Sequence, residues 1–79
     1  MDNSVEVRIK NIMSSVFQVP LETISDDSSQ DTIELWDSLN HMNLIVSLEE
    51  EFEIELDDDA IIEMLNFKLI REIIKPYLI

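Results

Sequence analysis

Apolar residues at Val5, Ile9, Ile12, Met13, Val16 and Phe17 recur at helical spacing. This predicts a first helix of about three to four turns, starting near Ser4 and polar on its other face. From Gln18 to Trp36 that period is lost. Pro20, the Ser25-Asp26-Asp27-Ser28-Ser29 cluster and the scattered Leu21, Ile24, Ile33 and Leu35 predict a long loop pinned onto the core. Loops beyond about 12 to 15 residues are uncommon in compact domains and often functional. The chain has no glycine, so any left-handed backbone position is expected to fall to Asn or Asp.

Asp37 then reads as the N-cap of a second helix, with Ser38 at its first position and an end near Glu51. The alternation Phe52-Glu53-Ile54-Glu55-Leu56 predicts a short extended connector. Asp57-Asp58-Asp59 caps a brief third helix through about Met64, and Asn66 caps a fourth through about Lys75, which Pro76 ends. The expected fold is all-α: one domain over residues 1–79, a four-helix bundle with three principal helices, a short third helix and a long first loop.

Around the second helix, Leu44, Ile45, Leu48 and Phe52 fall within one arc of about 100°, the usual width of a core-facing stripe. Leu39, Met42 and Val46 form a second apolar stripe centred about 130° away. A helix in a small bundle has little need of both. Glu49, Glu50 and Glu53 flank the second stripe, which therefore has the form of an apolar docking patch with an acidic rim. Ser38 projects between the two stripes.

Charge narrows the partners. Eighteen acidic against 5 basic side chains give a formal net charge of -13, which repels nucleic acid and anionic membrane and steers the protein toward basic patches on other proteins. Cysteine is absent, so any thiol chemistry has to come from an attached group. No apolar run approaches the roughly 18 residues of a membrane span, and the start lacks the pattern of a signal peptide, so a cytoplasmic protein is expected; it is also expected to be a monomer.

Asp37, Ser38 and His41 contain the residue types of a hydrolytic triad, but no glycine-based nucleophile elbow accompanies them and His41 falls within the buried arc. No catalytic residue is assigned, and the chain is not expected to be an enzyme. The clusters Asp26-Asp27 and Asp57-Asp58-Asp59 lack the glycine and ligand spacing of an EF-hand, so no metal site is assigned either.

Asp37-Ser38-Leu39, followed by an amphipathic helix ending in Leu48-Glu49-Glu50-Glu51-Phe52, resembles the acyl carrier proteins over the whole chain. The resemblance implies that Ser38 is the attachment point of a 4'-phosphopantetheine arm, whose thiol carries acyl groups as thioesters, with Asp37 as the acidic neighbour. It further implies modification by a phosphopantetheinyl transferase using coenzyme A. Acyl ligases, ketosynthases or acyltransferases with basic docking patches would then meet Leu39, Met42, Val46, Glu49 and Glu50. The phosphodiester would sit at a helix N-terminus, which favours anions. The core residues Leu44, Ile45, Leu48, Phe52, Ile54 and Leu56 would line any acyl cavity. Two other readings stay open: an aminoacyl or peptidyl carrier, and an unmodified interaction module.

The chain departs from the family pattern at three places. Glu34-Leu35-Trp36 precede Asp37 where a glycine is common, Trp36 reads as a packing anchor for the loop, and Asn40 and Asn43 replace usual acidic residues. The last change points to a carrier dedicated to a particular pathway. Removing the cap with Asp37→Ala is expected to cost about 1 kcal/mol, measured as a lower denaturation midpoint; an unchanged midpoint would remove Asp37 from the cap.

Overall fold

A computed structural model describes the backbone of residues 2–78 and the side chains of residues 5–78. Four α-helices follow in order: α1 (Asp2–Phe17), α2 (Ser38–Phe52), α3 (Asp58–Glu63) and α4 (Phe67–Ile74). Short 3₁₀ turns lie at Leu21–Thr23 and Lys75–Leu78. Among the described residues there is no strand, only an isolated bridge between Ser29 and Asn66. The architecture is the all-helical bundle expected, with α1 beginning two residues before Ser4.

Each cap read from the sequence is made. Asp37 accepts from the Asn40 N–H at 2.8 Å, Asp57 from Ala60 at 2.8 Å and Asn66 from Leu69 at 2.8 Å. Such caps satisfy amides that have no partner within their own helix. At the other end, α4 stops at Ile74 and the chain continues as the 3₁₀ turn through Pro76. Proline therefore tightens the helical path here without leaving it; its fixed φ suits a 3₁₀ turn, although it cannot donate.

The two positive-φ residues among those described are Gln18 (φ 57°) and Glu53 (φ 54°), so the expectation that Asn or Asp would take such positions is corrected. Both follow the last residue of a helix, and the next residue closes the end. The Val19 N–H donates to the Ser14 carbonyl at 3.2 Å, and the Ile54 N–H to the Glu49 carbonyl at 3.1 Å. This is the long-range bond of a Schellman closure, and the apolar residue after the left-handed one, Val19 or Ile54, packs against the core as that motif favours. The ends of α1 and α2 take the left-handed turn, and a chain without glycine makes it there with Gln18 and Glu53.

The core is shared among all the elements. Ile9, Met13 and Phe17 of α1 meet Leu44, Ile45 and Leu48 of α2, and Phe67, Ile70 and Ile74 of α4 close the far side. Ala60 and Met64 add the contribution of α3 and its end. Phe52 and Ile54, expected in the core, are half-buried at its edge.

The loop is pinned, as expected, through Ile24, Ile33 and Trp36, whereas Leu21 and Leu35 remain exposed. Trp36 is 2% exposed and stacks on Phe17 with ring centroids 4.8 Å apart. Its indole N–H donates to His41 Nδ1 at 3.0 Å, and His41 Nε2 lies 2.9 Å from the Ile61 carbonyl. Because Nδ1 accepts, Nε2 carries the proton and donates to Ile61. The loop also caps α4: the Phe67 N–H donates to the Ser28 carbonyl at 3.1 Å and the Lys68 N–H to the Asp26 carbonyl at 3.2 Å.

Arg71 ties α4 to two other elements, reaching Glu6 at 2.9 Å and Asp26 at 3.0 Å. The Asp26 hydrogen bond holds the guanidinium pKa above its ordinary value. Its stabilising effect is thus present below the unfolded-state pKa and is lost only as pH rises through the higher folded value, far above neutrality. Arg8 joins Glu51 at 2.7 Å and lies 4.4 Å from the Phe52 ring centroid. This exposed clip contributes little.

Gln18→Gly relieves a left-handed residue without altering charge and is expected to stabilise the fold by about 0.5–1 kcal/mol, read as a higher denaturation midpoint; a lower midpoint would refute the strain assignment. For His41, ¹⁵N spectra of the neutral ring are expected to show the Nε2–H tautomer. His41→Phe leaves the buried indole N–H unpaired and is expected to cost about 1–3 kcal/mol. A predominant Nδ1–H tautomer would break the Trp36–His41–Ile61 chain of bonds.

Candidate functional site

The hydroxyl of Ser38 stands at the head of α2, exposed. Asp37, extended at φ -102° and ψ -175°, turns the chain into the helix; its side chain takes the Asn40 N–H, and its carbonyl takes the His41 N–H at 2.8 Å. The N–H groups of Ser38 and Leu39 have no partner among the described residues. These two amides and the positive end of the helix dipole surround the serine, an arrangement suited to an anionic substituent on its oxygen.

Beside the serine, Leu39, Met42 and Val46 are 73%, 48% and 50% exposed, whereas Leu44, Ile45 and Leu48 are buried. The two stripes of α2 thus separate into a solvent face and a core face. Glu50 is exposed. Glu49 is half-buried, and one of its carboxylate oxygens accepts from the Leu56 N–H at 2.9 Å, clipping the connector after α2 onto the helix. Its role in the fold was not visible from spacing alone.

Asn40 and Asn43 are also engaged. Asn40 Nδ2 donates to the Leu35 carbonyl at 2.7 Å, and Asn43 Nδ2 donates to Asn40 Oδ1 at 3.0 Å. His41, considered with Asp37 and Ser38 as a triad, directs its nitrogens to Trp36 and Ile61. It is held as a structural residue, and Asp37 is held as a cap.

A further apolar surface lies outside both stripes of α2 and was not expected from the sequence. Ile62 and Leu65 are strongly exposed and line an open groove of about 480 Å³ with Leu69 and Ile73, flanked by Glu63 and Glu72. The available signal was the run Ala60-Ile61-Ile62 followed by Met64-Leu65, more apolar side chains than a six-residue helix can bury.

Charge is segregated along the chain. No lysine or arginine lies between Asn11 and Phe67, whereas fifteen of the 18 carboxylates do. Of the 5 basic residues, Arg8 and Arg71 are committed to internal ion pairs. The sequence of α2, α3 and the long loop is therefore of a single charge sign. No group of three or more potential metal ligands occurs among the described residues, and none of their helices is long and apolar enough to cross a membrane.

Two comparisons bear on this site. A family model described as the phosphopantetheine attachment site matches residues 7–74, which include Ser38 and all of α2, α3 and α4. The chain is 39% identical over 57 residues to the acyl carrier protein of Buchnera aphidicola subsp. Schizaphis graminum (strain Sg), an alignment covering 72% of each chain. A matched attachment site and a carrier relative agree with an exposed serine at the head of a helix, and the chain belongs to the acyl carrier proteins, a family of phosphopantetheine-bearing carriers and not of catalysts.

Proposed function

We propose that Ser38 is the attachment residue and that the chain holds acyl intermediates as thioesters, presenting them to partner enzymes across the outer face of α2. The observation that carries this reading is the position of an exposed serine at the head of a capped helix, beside the exposed Leu39, Met42 and Val46. The residues fit a phosphodiester: the Ser38 and Leu39 amides are without partners among the described residues, and the helix end favours negative charge. When bound, the phosphopantetheine supplies the thiol that this cysteine-free chain lacks.

In the loading step, coenzyme A and a phosphopantetheinyl transferase are required. The Ser38 oxygen forms a phosphoester bond to the pantetheine-side phosphorus as the pyrophosphate linkage of coenzyme A breaks; adenosine 3',5'-bisphosphate leaves with the other phosphate, and the hydroxyl proton passes to a base of the transferase or to water. The role of this chain is to present an accessible oxygen on a fixed helix end. Asp37 keeps that end wound by taking the Asn40 N–H.

Docking follows from the same face. Leu39, Met42 and Val46 supply an apolar centre, and Glu50 with the free oxygen of Glu49 supplies an acidic edge. Acyl ligases, ketosynthases and acyltransferases with basic patches complement it, with association steered over a Debye length of about 8 Å at physiological salt. A rim of this kind adds more to encounter rate and selectivity than to affinity.

Intact-mass measurement after incubation with coenzyme A and a broad phosphopantetheinyl transferase is expected to show one added phosphopantetheine on the native chain and none on Ser38→Ala. An unmodified native chain would refute the carrier reading, and a modified alanine variant would refute the site. Loading of the modified chain is expected with fatty-acyl ligases; exclusive loading by aminoacyl ligases would overturn the acyl cargo.

A further inference from the structure

We propose that Asn40 is a positioning residue for the modification of Ser38, acting through a hydrogen bond that only a donor at this position can make. The inference rests on the Ser38 reading above. Asn40 stands in the first turn of α2 and is bonded on three sides. Its backbone N–H donates to Asp37 Oδ1 at 2.8 Å, its Nδ2 donates to the Leu35 carbonyl at 2.7 Å, and its Oδ1 accepts from Asn43 Nδ2 at 3.0 Å. The Leu35 carbonyl can only accept, which fixes the Asn40 amide with its nitrogen toward that carbonyl and its oxygen toward Asn43, whose Nδ2 then donates.

Leu35 lies inside the turn that the Trp36 N–H closes on the Ile33 carbonyl at 3.1 Å, and its own carbonyl, which that turn leaves open, has the Asn40 amide as its sole donor among the described residues. Trp36, the next residue, is locked in the core by Phe17 and His41. Asp37 is then held by its cap bond to Asn40. Every residue of the approach to Ser38 is thus braced by the core or by Asn40, in a segment with neither glycine nor positive φ.

The brace is specific to the carboxamide. An ionised aspartate at position 40 is nearly the same shape but has no proton to give, and its oxygen would face the Leu35 carbonyl as a second acceptor. Alanine also lacks the donor but adds no charge. If the donor aims the serine, the two substitutions act alike; if the charge at position 40 governs docking, they diverge.

The experiment measures initial rates of phosphopantetheinylation by intact mass, with coenzyme A and a broad transferase, over a range of carrier concentrations, for native, Asn40→Asp and Asn40→Ala chains. Both variants are expected to show a kcat about three- to tenfold lower, the scale of one net hydrogen bond. The fall should persist at about 1 M salt, where the Debye length is about 3 Å, and any KM change confined to the aspartate variant should disappear there. Faster amide exchange over residues 35–38, with the rest of α2 unaltered, is the expected structural signature.

Native kcat in both variants, or a fall in only one of them, would overturn the proposal. If the aspartate variant does not fold, the alanine variant decides: a native kcat there refutes the brace. A native chain that takes no phosphopantetheine removes the Ser38 reading and this inference together. A modified native chain with unaffected variants leaves Ser38 in place and removes Asn40 alone.

Discussion

The end of the loop between α1 and α2, and with it the start of α2, depends on the burial of Trp36. The loop from Gln18 onward has no glycine and little regular structure, and its entropy must be offset by contacts. Trp36 supplies the largest of these by stacking on Phe17 and passing its one polar atom to His41. His41 passes the constraint on to the Ile61 carbonyl near the end of α3. One indole therefore fixes the end of the loop, the start of α2 and the approach of α3, and it does so two residues before the serine that the proposed function requires.

The helix heads at either side of the loop are finished in opposite ways. The first four amides of α4 are paired with Ser28, Asp26 and Asn66, so that helix end is closed by the loop that lies across it. At α2, Asp37 takes two amides and those of Ser38 and Leu39 have no partner among the described residues. In a structure where buried polar groups are paired, the exposed and unpaired amides stand where an anion can use them. The asymmetry distinguishes a helix end closed by the loop from one left open to solvent.

Charge follows the same division of labour. The few cations lie toward the two ends of the sequence, where Arg71 pairs α4 with α1 and the loop and Arg8 makes an exposed pair with Glu51 of α2. The intervening chain is left uniformly acidic, with the apolar residues Leu39, Met42 and Val46 exposed within it. Cohesion comes from the apolar core, and the mutual repulsion of the carboxylates is tolerated because they lie at the surface.

Much was settled by local chemistry. Helical periodicity gave α1 and the core face of α2, and Asp37, Asp57 and Asn66 marked three helix starts because a cap acts within three residues of itself. The exposed stripe of α2, the family and the place of Ser38 as the first residue of α2 were likewise legible. What the sequence could not determine were bonds between residues whose meeting depends on the folded path: Glu49 to the Leu56 amide, Asn40 to the Leu35 carbonyl, and His41 between Trp36 and Ile61. Gln18 and Glu53 became left-handed because packing of Val19 and Ile54 fixed how each helix ends. Periodicity and capping report on neighbours along the chain, whereas the partner of a polar side chain is set by the tertiary packing that brings distant backbone groups within hydrogen-bonding reach.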